Sequence, residues 1–262
     1  PRLERELAKA PRKVVMAMGA TATKSLLNNY KAKITQLRGQ VFHDKGYPVV
    51  PMLHPLSILR NPNDTDKLQR DIRTSHEVYT EGKRVKNPGS TEYRVLRNEQ
   101  EIKDALEALK TVGYIAADIE TTGINPRIDQ IISLAISWEK NKVVIIEEPF
   151  LRKGGLVANF MQSTGAGPRW VWQNGKFDVA FFEARGITVP LHEDTEVMHY
   201  VLSPIQGTHG LKDMSREYLG GVTYNDEINN VLKALKAQAK KEKWGREPNY
   251  GDIPKEILYP YQ

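Results

Sequence analysis

Apolar positions arrive along this chain in two rhythms. KVVMAMG, Lys13 to Gly19, is an almost unbroken apolar run, and PVVPML, Pro48 to Leu53, repeats it, as strands buried on both faces do. ATATKSLL follows the first as a helix start. DTDKLQRDIRTSHEVY follows the second with helical spacing, and Asp64 stands where an N-cap belongs. Strand, helix, strand, helix predicts a parallel α/β layer over residues 1–80. Residues 81–92, within the polar stretch TEGKRVKNPGSTEY, lose all hydrophobic period and hold Gly, Pro and Ser, which predicts a linker.

From residue 93 to 262 the rhythm changes. NEQEIKDALEALKTVG places Ile102, Leu106 and Leu109 on one helical face with Gly113 past the end. YIAADIE, QIISLAISW, KVVIIEE and RWVWQ read as strands with short polar connections, and KFDVAFFEARG as a helix closed by Gly186. LKDMSREYLG and DEINNVLKALKAQAKKEKW add further helices. The fold class predicted for this part is α/β, a mixed sheet flanked by helices.

Composition narrows the chemistry. With 262 residues, 40% of them hydrophobic and 27% charged, the chain has the balance of one large or two modest globular cores. The absence of cysteine excludes disulfides and thiolate metal sites within the chain, fits a reducing compartment, and leaves oxygen or imidazole donors for any metal. No apolar run approaches the roughly 20 residues that span a bilayer. PRLERELAKAPRK at the start lacks the apolar stretch of a secretory signal, so a cytoplasmic protein with no membrane partner is expected. The first residue is Pro, which suggests a fragment. The net charge of +6 is uneven: residues 1–80 carry 14 Lys and Arg against 7 Asp and Glu, the remainder 24 against 25. A basic half favours a polyanionic partner such as nucleic acid.

AADIETTGINP, Ala116 to Pro126, sets Asp118 and Glu120 one residue apart at the end of an apolar run. On a strand, residues i and i+2 share a face, so both carboxylates project together while Ile119 turns into the core. Such a pair persists where both groups reach water, or where a cation offsets their repulsion. WVWQNGKFDVAFF adds Asp178 at a helix start.

DIETTG on a first strand, NGKFD entering a helix, then HEDTEVMHYVLSP and HGLKDMSREYLG, taken in order, resemble the 3′-5′ exonuclease domain of family A DNA polymerases, which belongs to the DnaQ-like enzymes on a ribonuclease-H-like fold. The resemblance covers roughly Tyr93 to Gln262. It implies that Asp118, Glu120 and Asp178 are catalytic residues binding two divalent metal ions, Mg²⁺ or Mn²⁺. Two such ions stabilise charge on both the attacking and the leaving oxygen of a phosphodiester. It also implies substrate contacts by Thr121, Thr122, Asn174, Lys176 and Ile124, the last an apolar wedge against the terminal base. A core role for Ile124 and a turn-shaping role for Asn174 and Lys176, favoured for Asn174, are the structural alternatives, and Asp194 in HEDTEV reads equally as an N-cap. The family's final motif is a catalytic Tyr followed four positions later by Asp. Tyr261 matches the Tyr, with Tyr259 as the alternative, and the acid falls three positions beyond Gln262.

A second resemblance covers the basic segment. PRLERELAKAPRKVVMAMGATATKSLL, ITQLRGQ, YPVVPMLHPLSILRNP and LQRDI are similar to the C-terminal half of the uracil-DNA glycosylase superfamily, centred on HPxxxxR, His54 to Arg60. It implies a uracil-binding role for His54 and a duplex-wedging role for Leu56. That family's water-positioning loop would precede Pro1, so a DNA-holding module or a plain scaffold is expected rather than uracil excision.

Residues 1–80 are thus expected to form a partial glycosylase-like domain, 81–92 a linker, and 93–262 a metal-dependent 3′-5′ exonuclease domain lacking its final motif, with weakened metal binding or turnover. Its expected partners are single-stranded or frayed DNA ends and a C-terminal polymerase region in the parent chain. The rival readings are a ribonuclease-D-like RNA exonuclease and a non-catalytic DNA-binding module.

Overall fold

The computed structural model describes residues 2–9, 12–31, 33–43, 46–82, 91–163, 167–204, 207–215, 218 and 225–261, with backbone alone at 4, 8, 225–227 and 261. Two compact units emerge, residues 1–88 with 205–223, and residues 89–204 with 224–262.

The first unit holds α1 (Arg2–Ala8), β1 (Val15–Met18), α2 (Gly19–Leu27), α3 (Ile34–Leu37), β2 (Val49–Met52), α4 (Pro55–Arg60) and α5 (Thr65–Glu81). β1 and β2 pair in parallel from Val15 opposite Val49 to Met18 opposite Met52. Every β2 residue is buried, which is why its pattern is a continuous run and not an alternation. Asp64 does not cap α5: its backbone is already helical and its side chain accepts no cap hydrogen bond. Asn61, whose side chain accepts from Asn63 N–H, caps the 3₁₀ turn that leads in. α5 continues to Glu81 and stops at Gly82, whose φ of 59° lies in the left-handed region that suits glycine. Residues 83–90 of the expected linker lie outside the described residues.

The second unit begins with β3 (Glu92–Leu96), a strand the periodicity did not reveal because its first three residues are exposed. α6 (Glu99–Leu109), β4 (Tyr114–Thr121), β5 (Ile131–Glu139), β6 (Lys142–Glu147), α7 (Leu156–Gln162), β7 (Arg169–Trp172), α8 (Lys176–Glu183), β8 (Glu193–Asp194) and α9 (Thr195–Leu202) follow. α10 (Leu211–Met214) lies in the segment that groups with the first unit, and α11 (Asn225–Glu242) and α12 (Lys255–Tyr261) return to the second. The sheet order is β3-β6-β5-β4-β7-β8, and β5 runs antiparallel to both of its neighbours. This is the expected mixed sheet flanked by helices.

Its two faces are covered differently. Ile115, Ala117 and Ile119 of β4 join Ile102, Leu106 and Leu109 of α6 and Phe181 and Phe182 of α8 in the larger core. Ala135 and Ile145 face a second layer formed by Ile228 of α11 and by Ile253, Leu258 and Tyr259. Leu134 of β5, paired with Ile119 and fully buried, lies beside the strand that carries the acids. Leu134→Ala should cost about 2–5 kcal/mol in a urea titration, because the surrounding sheet cannot collapse into the void. A loss below about 1 kcal/mol would contradict this packing.

The expected C-terminal domain, 93–262, is interrupted: residues 205–223 group with the first unit. There Thr208 is buried, and Thr208 and Asp213 line a small recess with Arg38, Lys67, Arg70, Asp71 and Thr74. Among these, Arg38 and the buried Asp71 form an ion pair 2.8 Å long, and Arg38 also donates to Lys67 O. Among the described residues no helix is long and apolar enough to cross a membrane.

Candidate active site

β4 brings Asp118 and Glu120 to the edge of the core by strand period alone: Ile119 between them is 5% exposed in the larger core. The register with β5 shifts between Glu120 and Thr121, a bulge that turns the chain away from the sheet just after the acids. Asp178 reaches the same place from α8, 59 residues later, and its Oδ1 accepts the Ile119 backbone N–H at 3.2 Å. That hydrogen bond ties the helix to the strand between the two β4 acids.

The three carboxylates feel one another. Glu120 is raised to about 8, first by burial and then by the charges of Asp118 and Asp178. Asp178 is also raised to about 8 by burial and by Asp118, although backbone N–H groups pull the other way. Asp118 keeps a solvent-facing edge, yet protein crowds it on the remaining sides and burial raises it to about 6. Loss of water raises all three, and the charges of their neighbours add to it at Glu120 and Asp178. Among the described residues no group of three or more Asp, Glu, His or Cys side chains forms a ready metal cage. The donors themselves are hard oxygens in excess negative charge, which suits Mg²⁺ or Mn²⁺, and a bound cation would offset their repulsion.

The turn before Asp178 is built by a residue the sequence left undecided. Asp194, on the short edge strand β8, caps α9 by accepting from Glu196 N–H at 2.9 Å. Its carboxylate also accepts from Asn174 N–H at 3.2 Å and Gly175 N–H at 2.8 Å. Asn174 sits in the left-handed region at φ 55°, so it shapes the turn. A Cβ on Gly175 would lie 2.5 Å from Trp172 Cβ, so only glycine lets the turn pass so close to β7. Lys176 opens α8 with its side chain exposed. Asp194→Ala should cost about 2 kcal/mol and lower any activity that needs Asp178 about tenfold, because it frees the turn and the helix cap together. Thermal melts and turnover of Asp194→Ala beside Asp194→Asn check this; unchanged turnover in the alanine variant would limit Asp194 to its cap.

The loop after the acids is closed by its own hydrogen bonds. Thr121 donates to Gly123 O at 2.6 Å, and Thr122 Oγ1 accepts from Gln130 N–H at 2.9 Å, so both hydroxyls shape the loop. Ile124 is 86% exposed, which removes the core alternative for it. Tyr259 is buried and donates to Glu147, which also accepts from Lys255 at 2.5 Å; the side chain of Tyr261 lies outside the described residues. In the first unit, His54 caps α4 through Nδ1, accepting from Leu56 N–H at 3.1 Å, while Leu56 is exposed. Sequence reasoning missed Asp129 and Arg185, which brace the loop after the acids; no motif marked them.

Residues 93–247 match the family described as 3′-5′ exonuclease. The DNA polymerase of Escherichia phage T5 is 25% identical over 228 residues, 81% of this chain and 25% of the polymerase. DNA polymerase I of Borreliella burgdorferi is 24% identical over 147 residues, 53% of this chain and 16% of that protein. The chain thus spans about a quarter and a sixth of the lengths of these relatives. Among solved structures, Escherichia coli RNase D, an exoribonuclease involved in structured RNA processing, aligns with 52% of this chain and 36% of its own at a TM-score of 0.44 and 16% identity.

Proposed function

The chain belongs to the 3′-5′ exonuclease family of the DNA polymerase A type, and we propose on that premise that it hydrolyses the 3′-terminal phosphodiester of DNA, releasing a nucleoside monophosphate. The observation that carries this reading is the trio Asp118, Glu120 and Asp178, drawn together from a strand and a distant helix and held with raised affinity for protons. These three would hold two divalent ions, and bound ions would stabilise charge on the attacking and leaving oxygens. The chain's own part is to keep the acids in place: the Ile119 N–H fixes one oxygen of Asp178, and Asp194 fixes the turn ahead of it. Ile124 faces solvent beyond the acids, where an unstacked terminal base can lie against it. Tyr261 is proposed to orient the attacking water.

DNA is favoured over RNA because the two curated relatives named above are DNA polymerases, and the parent chain is proposed to carry a polymerase region that supplies the ends to be proofread. The deciding assay digests 5′-labelled single-stranded DNA and the matched RNA in Mg²⁺ and in Mn²⁺. A ladder from the 3′ end on DNA supports the proposal. Equal digestion of RNA moves it to a ribonuclease-D-like activity, and binding in chelator with no cutting moves it to a binding module. The N-terminal unit is proposed to hold DNA without chemistry, since His54 Nδ1 is engaged in a helix cap; a uracil-containing duplex should stay free of abasic sites, as scored by alkaline cleavage.

A further inference from the structure

The loop between β4 and β5 behaves as one block. Asp129 accepts Asn125 N–H at 2.8 Å through its carboxylate, and Asp129 N–H donates back to Asn125 O at 2.8 Å. Thr122 N–H donates to Gln130 O at 3.0 Å across the base of the loop. The space beside Gly123 is filled by Asp129: a Cβ there would meet Oδ2 at 2.4 Å. The rigid tip offers two isoleucines to water, Ile124 at 86% and Ile128 at 74% exposed. A closed loop still needs a tie to the rest of the site, and Arg185, just past the end of α8, supplies one. Its Nη2 donates to Asp129 O at 2.9 Å and to Gln130 Oε1 at 3.4 Å, and its Nη1 donates to Phe181 O at 2.7 Å. The guanidinium carbon lies 5.7 Å from the centre of the Phe181 ring.

We propose that Arg185 is a positioning residue that locks the isoleucine-bearing loop to the helix carrying Asp178, so that the apolar tip stands ready to bind the terminal base beside the three acids. This rests on the exonuclease reading above. α8 carries Asp178 near its start and Phe181 one turn on, so a tie at its end sets loop and acid in one frame. A fork of donors is required, because one side chain must bond a helix carbonyl and a loop carbonyl in different directions; lysine has no such fork. Ile128 joins Ile124 as part of the apolar tip.

The test compares Arg185→Ala, Arg185→Lys, the pair Ile124→Ser with Ile128→Ser, and the combination, all in the full chain. Both isoleucines are exposed, so their replacement leaves the core intact. On single-stranded DNA in Mn²⁺, Arg185→Ala should raise KM about tenfold with kcat nearly unchanged, and Arg185→Lys should recover little of it. In the double-isoleucine background, Arg185→Ala should add nothing, because the tip through which it acts is already gone. A strand ending in 3′-terminal 2-aminopurine, bound in Ca²⁺ and read by fluorescence, gives the same comparison without turnover. A fall in kcat at constant KM, additive losses, or unchanged 2-aminopurine binding in Arg185→Ala would overturn the proposal. If the unmodified chain shows no turnover, restoring residues after Gln262 tests the exonuclease reading, which fails if activity does not return, and the fluorescence arm still decides the role of Arg185.

Discussion

Asp118→Ala should abolish release of nucleotides from single-stranded DNA, by three orders of magnitude or more, while making the metal-free protein more stable at pH 8. The two effects share one cause. Asp118 raises the proton affinity of Glu120 and of Asp178 through its charge, on top of their burial. When a dication is bound, removing one ligand forfeits several kcal/mol of charge stabilisation in the transition state, and each 1.36 kcal/mol is a factor of ten in rate. Without metal the same carboxylate repels Glu120 and Asp178, so deleting it relieves that repulsion in the folded state. Gel assays of 3′ shortening and thermal melts in chelator read the two sides. Activity within tenfold of the unmodified chain would remove Asp118 from the chemistry. A fall in stability would show that repulsion is not the dominant force at this site.

The second large effect is the dependence of stability on pH and metal. Glu120 and Asp178 are raised to about 8 from ordinary values near 4.5 and 3.8, so between those limits the folded protein binds protons that the unfolded chain releases. Their contribution is fully present below the unfolded values and is lost as pH rises through about 8. The loss is on the order of several kcal/mol, with Asp118 adding less because water screens its exposed edge. Glu147 and Asp252 are lowered, by hydrogen bonds to Lys255 and Arg246 respectively, so their contributions are lost as pH falls, below the window of interest. In chelator the melting temperature should therefore drop from pH 5 to pH 9, and Asp178→Asn should flatten that slope. Adding Mn²⁺ should raise it strongly at pH 8 and little at pH 5, where protons occupy the ligands. A slope identical in Asp178→Asn would refute the assignment.

Much of this was legible before any coordinates. The helical face of Ile102, Leu106 and Leu109 is buried as its spacing required. KVVMAMG and PVVPML contain the parallel pair β1 and β2, and the continuous apolar run suits β2, which is buried on both faces, whereas β1 is covered only in part. β3 was hidden because only its last residue is fully buried and its alternation is too short to register. Asp64 shows the limit of local rules: Asn61, three residues earlier, holds the cap that composition assigned to Asp64.

For the site the division is sharper. The spacing of Asp118 and Glu120 determined that they share a face, since a strand's period of two is set by covalent geometry and is independent of the fold around it. Asp178 at a helix start was equally local. Only the tertiary structure decided that Asp178 meets Ile119 N–H across 59 residues, that Asp194 pins the turn before it, and that Arg185 reaches Asp129 and Gln130. Those contacts depend on which strands pair and how far each helix stands from the sheet, which no short window of sequence encodes. The raised proton affinities belong to the same class, because desolvation and repulsion depend on distances set by the whole packed core.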